Sequence, residues 1–423
     1  MSEIDATTDT ELGLFQALGV ELEYMIVDAD TLSVRPIADE LLREPSGEIA
    51  SEVEHGAIAW SNELVAHVIE LKTNGPAATL EGLNEAFAGQ VREIGRLLAA
   101  HGARLMPTAM HPWMDPHAET KLWPHDYSVV YQTFDRIFGC QGHGWSNLQC
   151  VHLNLPFAGD EQFGRLHAAI RMLLPLLPAL AASSPICDGR PTGWLDTRLD
   201  VYRGNSRKIP SITGQVVPEP VFTRQDYDQQ IFQRIYVDIS PLDPEGVLQH
   251  EWLNARGAIA RFERGAIEIR VLDLQECPQA DLAVCAAIIT VLRELVAERW
   301  SSLAEQQAWP TEPLAELLAA TAREGDAARI QDERYLRAFG FAGSPGSTAG
   351  QLWQHLLKHA ADVLGPAAEP WQPAWNVIAN QGPLARRILR AIDANPGSDR
   401  QRLESIYRRL CDCLQQNELF NFS

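Results

Sequence analysis

Two hydrophobic periods divide the chain. Up to about Leu274, short runs alternate apolar and polar residues at every second position, as strands with one buried face do. Helical spacing interrupts them, for example over 80–100 and 160–182. After Pro278 the period changes, and apolar residues recur at i, i+3 and i+4. That spacing predicts helices over 281–299, 313–324, 347–364, 383–394 and Asp399–Gln416. Pro and Gly clusters at 341–346 and 365–373 separate them. The expected architecture is therefore α+β. A flexible N-terminus (1–12) precedes a sheet-bearing region (13–278), and a helical region (279–423) packs on it. Strands and helices do not alternate regularly, which argues against a doubly wound parallel sheet. No internal repeat is evident.

Four strand segments have unusual polar faces. In 19–27, Val20, Leu22, Tyr24 and Ile26 share one face, which leaves Glu21 and Glu23 together on the other. In 67–73, Ile69 and Leu71 oppose Glu70 and Lys72. In 151–157, Val151, Leu153 and Leu155 oppose His152 and Asn154. In 266–272, Ile267, Ile269 and Val271 oppose Glu268 and Arg270. Any one of these could be an amphipathic strand with its polar face in water. Solvated faces usually carry Thr, Ser and Lys, however, whereas these carry carboxylates, one imidazole, an amide and an arginine. Neighbours on one sheet face lie roughly 5–7 Å apart, so the groups can converge. Converging carboxylates repel unless a cation neutralises them. Carboxylate oxygen with a single imidazole suits Mg²⁺ or Mn²⁺, whereas zinc favours sulfur and nitrogen. Magnesium held this way commonly completes its shell with phosphate, which points to a nucleotide. Neither GxxxxGK[ST] nor GxGxxG is present, so a nucleotide site must use another architecture.

Complementary charge lies downstream. Arg190, Arg198, Arg203, Arg207 and Lys208 fall within 19 residues, among Gly, Pro, Asn and Ser. Such a loop reads either as an ordinary charged surface or as a clamp for phosphate or carboxylate. Over the whole chain, 56 acidic residues against 35 basic give a net charge of −21, which argues against a nucleic-acid partner. No basic and apolar leader opens the sequence, and the apolar stretch at 168–182 is broken by Arg171, Pro175 and Pro178. Seven scattered cysteines without CxxC spacing read as cytosolic thiols, and a redox role for Cys411 and Cys413 has little support. A cytoplasmic protein without membrane segments is expected. His111, His117 and His125 sit in the Pro- and Trp-rich segment HPWMDPHAETKLWPHDY and read as packing or surface groups. If that segment covers the site, Trp123 and Tyr127 would line the substrate pocket.

GVELEYMIVD (19–28), ELVAHVIELKT (63–73), LQCVHLNLPF (148–157), DTRLDVYRGNSRKIPSITGQVVPEP (196–220) and RGAIEIRVLDLQECP (264–278) form an ordered set. It resembles the glutamate–cysteine ligases and related carboxylate–amine ligases, which share their catalytic fold with glutamine synthetase. The resemblance implies a curved antiparallel sheet of glutamine synthetase-like type flanked by helices, with Mg²⁺ ions between ATP and glutamate. Carried over by position, Glu21 and Glu23 match the first pair of metal ligands, and Glu63 and Glu70 match the second. His152 and Glu268 complete the metal set. Arg270 matches the arginine that contacts the transferred phosphate, with Glu70 also in the catalytic group. Arg198, Arg203, Arg207, Lys208 and Asn154 would bind substrate or nucleotide, Arg198 and Arg207 foremost. The activity implied is ATP- and Mg²⁺-dependent formation of a γ-glutamyl amide through an acyl phosphate, as in glutathione biosynthesis. The partners implied are ATP, glutamate and an amino acid or amine, in a chain that could self-associate. A different acid or amine, a non-catalytic nucleotide-binding regulator and a metal-dependent phosphohydrolase are the competing readings. No motif identifies a cysteine pocket or explains the helical region.

Overall fold

The computed structural model describes residues 11–44 and 46–421. The expected flexible segment 1–12 lies almost wholly outside the described residues. Eight strands form one sheet: β1 (Gly19–Asp28), β2 (Glu52–His55), β3 (Ile58–Asn62), β4 (Val68–Thr73), β5 (Ala103–Met106), β6 (Cys150–Pro156), β7 (Ala258–Arg261) and β8 (Ala266–Asp273). Their spatial order is β2-β3-β4-β1-β6-β8-β7, with β5 pairing the far end of β1. Every pairing is antiparallel. The four strands read from alternation are β4, β1, β6 and β8, and they are consecutive neighbours. The other four escape a period-of-two reading for physical reasons. All five residues of β3 are buried, so it shows no alternation. β2, β5 and β7 are four residues each, too short for a period to register.

The apolar face of the sheet, including Val20, Leu22, Tyr24 and Ile26, enters the main core. Covering it are α1 (Leu83–Ala99), α2 (Gly159–Leu173) and α3 (Pro278–Val296). In α3, 16 of 19 residues are buried, as expected of a helix that is apolar on all sides and sits at the centre of a domain. The helical region after Pro278 therefore shares the core of the sheet-bearing region. Trp375 donates its indole N–H to the carbonyl of Ala283 at 2.7 Å, and Trp353 donates to that of Leu176 at 2.7 Å. Glu276, just past β8, holds Arg387 at 2.6 Å in a buried ion pair and accepts the backbone N–H of Phe420.

Helix boundaries moved where proline acts. α3 begins at Pro278 rather than 281, because proline suits the first turn, where an N–H has no partner. The helix Gln372–Gln381, which was not expected, starts at the end of the Pro/Gly cluster 365–373, with Pro373 in its first turn. Expected helix 160–182 is instead α2, a 3₁₀ turn over Leu174–Leu176 and a short helix Leu177–Ala181. Pro175 and Pro178 remove the bonds that would keep it uniform. This run, Gly159–Ala181, is long and apolar enough to cross a membrane, yet 94% of its apolar window is buried inside the protein.

Candidate active site

The polar face of the sheet gathers the groups that alternation placed there. In the register, β1 carries Glu21 between Lys72 of β4 and His152 of β6, while Glu23 lies directly opposite Glu70. Across β6, Asn154 faces Glu268. Next to this pair the ladder slips: Ile269 pairs Leu153 but Leu272 pairs Val151, so Arg270 and Val271 together stand against His152. At this bulge Arg270 keeps to the polar face, where its Nε lies 2.9 Å from Glu268 Oε1. Arg261 of β7 holds the other Glu268 oxygen at 3.0 Å.

His152 is the centre of the cluster. Its Nδ1 meets Glu21 Oε2 at 2.7 Å, and Asn154 donates to Glu21 Oε1 at 3.0 Å. Its Nε2 faces the other way, 3.0 Å from Cys150 Sγ and 3.8 Å from Glu23 Oε1. Glu23 Oε2 accepts the Cys150 backbone N–H at 2.9 Å and its thiol at 3.3 Å. Glu70 accepts the Ser61 hydroxyl at 2.8 Å.

The electrostatics are those of excess negative charge in a dry place. Burial raises the Glu70 carboxyl well above its usual range, and Glu21 and Glu63 push it further. Burial and then the Glu23 charge push Glu63 up to about 7. For Glu21, burial is outweighed by the hydrogen bond and charge of His152, which bring it down to about 2. Burial would lower His152, but Cys150 and Glu21 hold it well above its ordinary value. Buried carboxylates this close together favour a positive partner among them, a role His152 plays for Glu21. The donor atoms are of a kind that suits divalent ions: Glu23 Oε1 lies 3.8 Å from His152 Nε2, and the buried Glu268 Oε1 lies 3.9 Å from the other ring nitrogen, Nδ1.

A cavity of about 560 Å³ opens over this face. Glu23, Glu63, His152, Arg198 and Arg270 line its inner part, and Tyr131, Phe134, Trp145 and Trp252 form an aromatic wall. Phe134 lies 5.2 Å from Trp145 and 5.9 Å from Trp252, ring centre to ring centre. Arg198 is buried, with Nε bonded to Asp273 Oδ1 at 2.6 Å and Nη2 to the carbonyl of Arg270 at 3.3 Å.

The rest of the expected basic clamp does not reach the cavity. Arg198 and Tyr202, four apart on the short helix Thr197–Tyr202, share the face toward it. Arg203 lies on another side, paired with Asp200 at 2.6 Å and over the Trp194 ring. Arg207 is exposed in the following turn, and Lys208 bonds the carbonyl of Ile137. Asn154 acts on Glu21 and is not among the residues lining the cavity. Of the loop residues, Tyr127 lines the cavity mouth, whereas Trp123 is buried away from it. His111 is a core group bonded to the carbonyl of Leu32, and His125 sits 3.6 Å from Asp39. Cys411 and Cys413 are buried in a second core beside the ends of β1 and β5. Sequence reading missed Cys150, Tyr202, Arg261, Asp273 and the aromatic wall. Cys150 carried a usable signal, being two residues before His152 on one strand face.

The family model for glutamate–cysteine ligase family 2 matches residues 17–393. An uncharacterized protein of Archaeoglobus fulgidus is 32% identical over 403 residues, covering 95% of this chain and all of that protein. The glutamate–cysteine ligase of Halobacterium salinarum is 28% identical over 291 residues, 66% of this chain and 69% of that one. Among solved structures, the glutamate–cysteine ligase of Francisella tularensis in complex with AMP aligns with a TM-score of 0.58 at 13% identity. That alignment covers 95% of this chain and 89% of that one. A bifunctional glutathione synthetase of Pasteurella multocida aligns equally well over 96% of this chain and 52% of that one, at 15% identity. These two likenesses establish a shared fold. The match over most of its length places the chain in glutamate–cysteine ligase family 2, and it is accordingly an enzyme of the ligase class.

Proposed function

We propose that this protein is an ATP- and Mg²⁺-dependent ligase that joins the γ-carboxylate of glutamate to an amine through an acyl phosphate, with cysteine as the reference acceptor. The observation that carries this reading is the single sheet face holding Glu21, Glu23, Glu70, His152 and Glu268 beside Arg270, beneath a cavity that Arg198 and Arg270 also line. Glu23 and His152 would hold metal on the Nε2 side of the ring, with Glu268 offering a carboxylate on the other side, where Glu21 orients the ring through Nδ1. Bound Mg²⁺ would supply charge neutralisation for the ATP phosphates. Arg270, held by Glu268, offsets charge on the phosphoryl group in flight. Arg198, locked by Asp273, keeps a second fixed positive charge beside it. The acid carboxylate attacks the γ-phosphorus, ADP leaves, and the amine then displaces phosphate from the acyl carbon. No nucleophilic side chain is required, so the protein contributes alignment and electrostatics. The aromatic wall limits water, which would otherwise hydrolyse the acyl phosphate.

A second acceptor class has support of its own. Tyr131, Phe134, Trp145 and Trp252 offer apolar surface larger than a cysteine side chain requires, which favours a bulkier amine. The test is ADP release with ATP, Mg²⁺ and glutamate against a panel of amino acids and amines. ADP formed only when acid and amine are both present supports ligation, and the panel ranks the acceptors. ATP consumed without an acceptor would replace this reading with hydrolysis, and nucleotide binding without turnover would replace it with regulation.

A further inference from the structure

We infer that Glu23, Cys150 and His152 form a thiolate-containing site for a borderline-soft divalent cation of the Zn²⁺ or Cd²⁺ kind, built into the face whose carboxylates suit Mg²⁺. This rests on the reading of that face as a metal centre. One ligand atom from each residue lies within 4.8 Å of the other two. Cys150 Sγ is 3.0 Å from His152 Nε2 and 3.3 Å from Glu23 Oε2, and His152 Nε2 is 3.8 Å from Glu23 Oε1. Tetrahedral zinc with bonds of about 2.0–2.3 Å to nitrogen, oxygen and sulfur separates its ligands by roughly 3.3–3.8 Å. Small side-chain adjustments therefore suffice.

The hydrogen bonds around the triad prepare it for this use. Glu21 Oε2 stands 2.7 Å from His152 Nδ1, and a carboxylate can only accept there. One ring proton is therefore held on Nδ1, and Nε2, the nitrogen facing Glu23 and Cys150, is the one left to bind a cation in place of its proton. A carboxylate backing a histidine in this way is the usual support of a metal-bound imidazole. The Cys150 N–H fixes Glu23 through Oε2 and leaves Oε1 toward the triad. All three residues are at most 8% exposed, yet all three line the cavity, so a fourth position is open to water or substrate. A carboxylate, a thiolate and a neutral imidazole balance a divalent charge. On binding, the Cys150 S–H proton, and any proton on His152 Nε2, pass to solvent as the metal–ligand bonds form, with no change of oxidation state. Sulfur in the donor set shifts preference from hard Mg²⁺ toward Zn²⁺ and Cd²⁺.

A second grouping, His143, Cys187 and Asp188, has comparable spacing and serves as the control. There Asn147 donates to His143 Nδ1, so the ring proton sits on Nε2 and is given to Asp188 at 3.1 Å. That ring presents a proton to the carboxylate where a metal would need a lone pair.

The full-length, metal-free protein is titrated with Cd²⁺ and read by the ultraviolet thiolate-to-metal charge-transfer band, with Mn²⁺ binding by electron paramagnetic resonance as a parallel probe. The expected result is one band-forming Cd²⁺ per chain, chased by Zn²⁺. Cys150→Ser and Cys150→Ala lose the band and bind Zn²⁺ at least about tenfold more weakly, while Cys187→Ser retains both. A band that survives in the Cys150 variants, or disappears in Cys187→Ser, overturns the assignment. If neither Cys150 variant folds, zinc-edge X-ray absorption of the wild type decides, since a shell without sulfur refutes the site. Mn²⁺ bound with no thiolate band rejects the soft site and leaves the metal centre standing, whereas no Mn²⁺ bound rejects the metal centre itself.

Discussion

His152 joins two environments through its two nitrogens, and its neighbours can be tested singly. Glu23→Gln keeps the acceptor for the Cys150 N–H but removes a charge from the cluster. It should reduce amine-dependent ADP release by at least about 100-fold, the scale on which metal-centre changes act, while the protein stays folded by circular dichroism. The metal-free variant should melt no lower than wild type, because a repelling carboxylate is gone, and should lose the Mg²⁺-induced rise in Tm. Glu268→Gln should also abolish turnover. Near-normal turnover in both would remove these residues from the metal site. The arginines give a second contrast. Arg198→Lys keeps the charge but cannot reproduce the fork between Asp273 and the Arg270 carbonyl, so kcat should fall by about tenfold or more. Arg207→Ala, at an exposed position, should stay within about twofold. Steady-state ADP assays check both. The difference also shows what was legible. Glu21, Glu23, His152 and Glu268 could be read because strand alternation dictates side-chain direction. Arg207 could not, because a turn has no period and charge density alone does not say where a side chain points. Cys150 obeyed the strand period, yet among seven scattered thiols it drew no notice.

At the scale of elements, the bulge in β8 is where sequence and structure part most usefully. Alternation across Ala266–Asp273 places Arg270 on the polar face, but nothing in a period of two announces that the ladder slips there. The slip depends on a distant residue. Gly257, before β7, accepts the Arg270 N–H at 2.8 Å and donates to the carbonyl of Val216 at 2.7 Å. A Cβ on Gly257 would stand 2.6 Å from Val271 Cγ1 and 3.1 Å from Val216 Cγ1, both on stiff β-branched side chains. Gly257→Ala should therefore lower stability by about 1–3 kcal/mol and displace Arg270 with the bulge. Assayed well below its Tm, it should lose more in kcat than in KM for ATP. Loss of stability with unchanged kcat would show that the bulge does not aim Arg270. The same logic explains the helices. α3 was visible because a long, mainly apolar run with helical spacing leaves few alternatives, whereas its position under the sheet, shared with α1 and α2, is a property of packing that no local period encodes.

At the scale of the whole molecule, the −21 net charge hides opposing titrations within the interior. The raised carboxyls of Glu63 and Glu70 remove stability from the metal-free protein as pH rises, because the folded state must give up protons that it holds more tightly. Three buried histidines act in the other direction. Burial brings His67 and His111 down to about 4. His167 falls to about 3 through burial and the nearby charge of Arg171. His67 and His111 face backbone carbonyls through Nε2, which a neutral ring satisfies, and His167 stacks on Phe163 at 5.2 Å with Tyr227 at its edge. Their folded values lie below the ordinary 6.5, so the unfolded chain binds protons first. The stability they contribute is complete above about pH 6.5 and is lost as pH falls toward 4 and 3. At pH 5 the loss is about 2 kcal/mol for each group. His167→Leu keeps the apolar packing and removes one titration, which isolates its share from the carboxylates. Urea unfolding of wild type and variant, both with chelator, should show the variant gaining about 2 kcal/mol relative to wild type between pH 7.5 and pH 5. Parallel profiles over that interval would mean that His167 takes up its proton without resistance in the folded state, and that acid sensitivity arises elsewhere in the molecule.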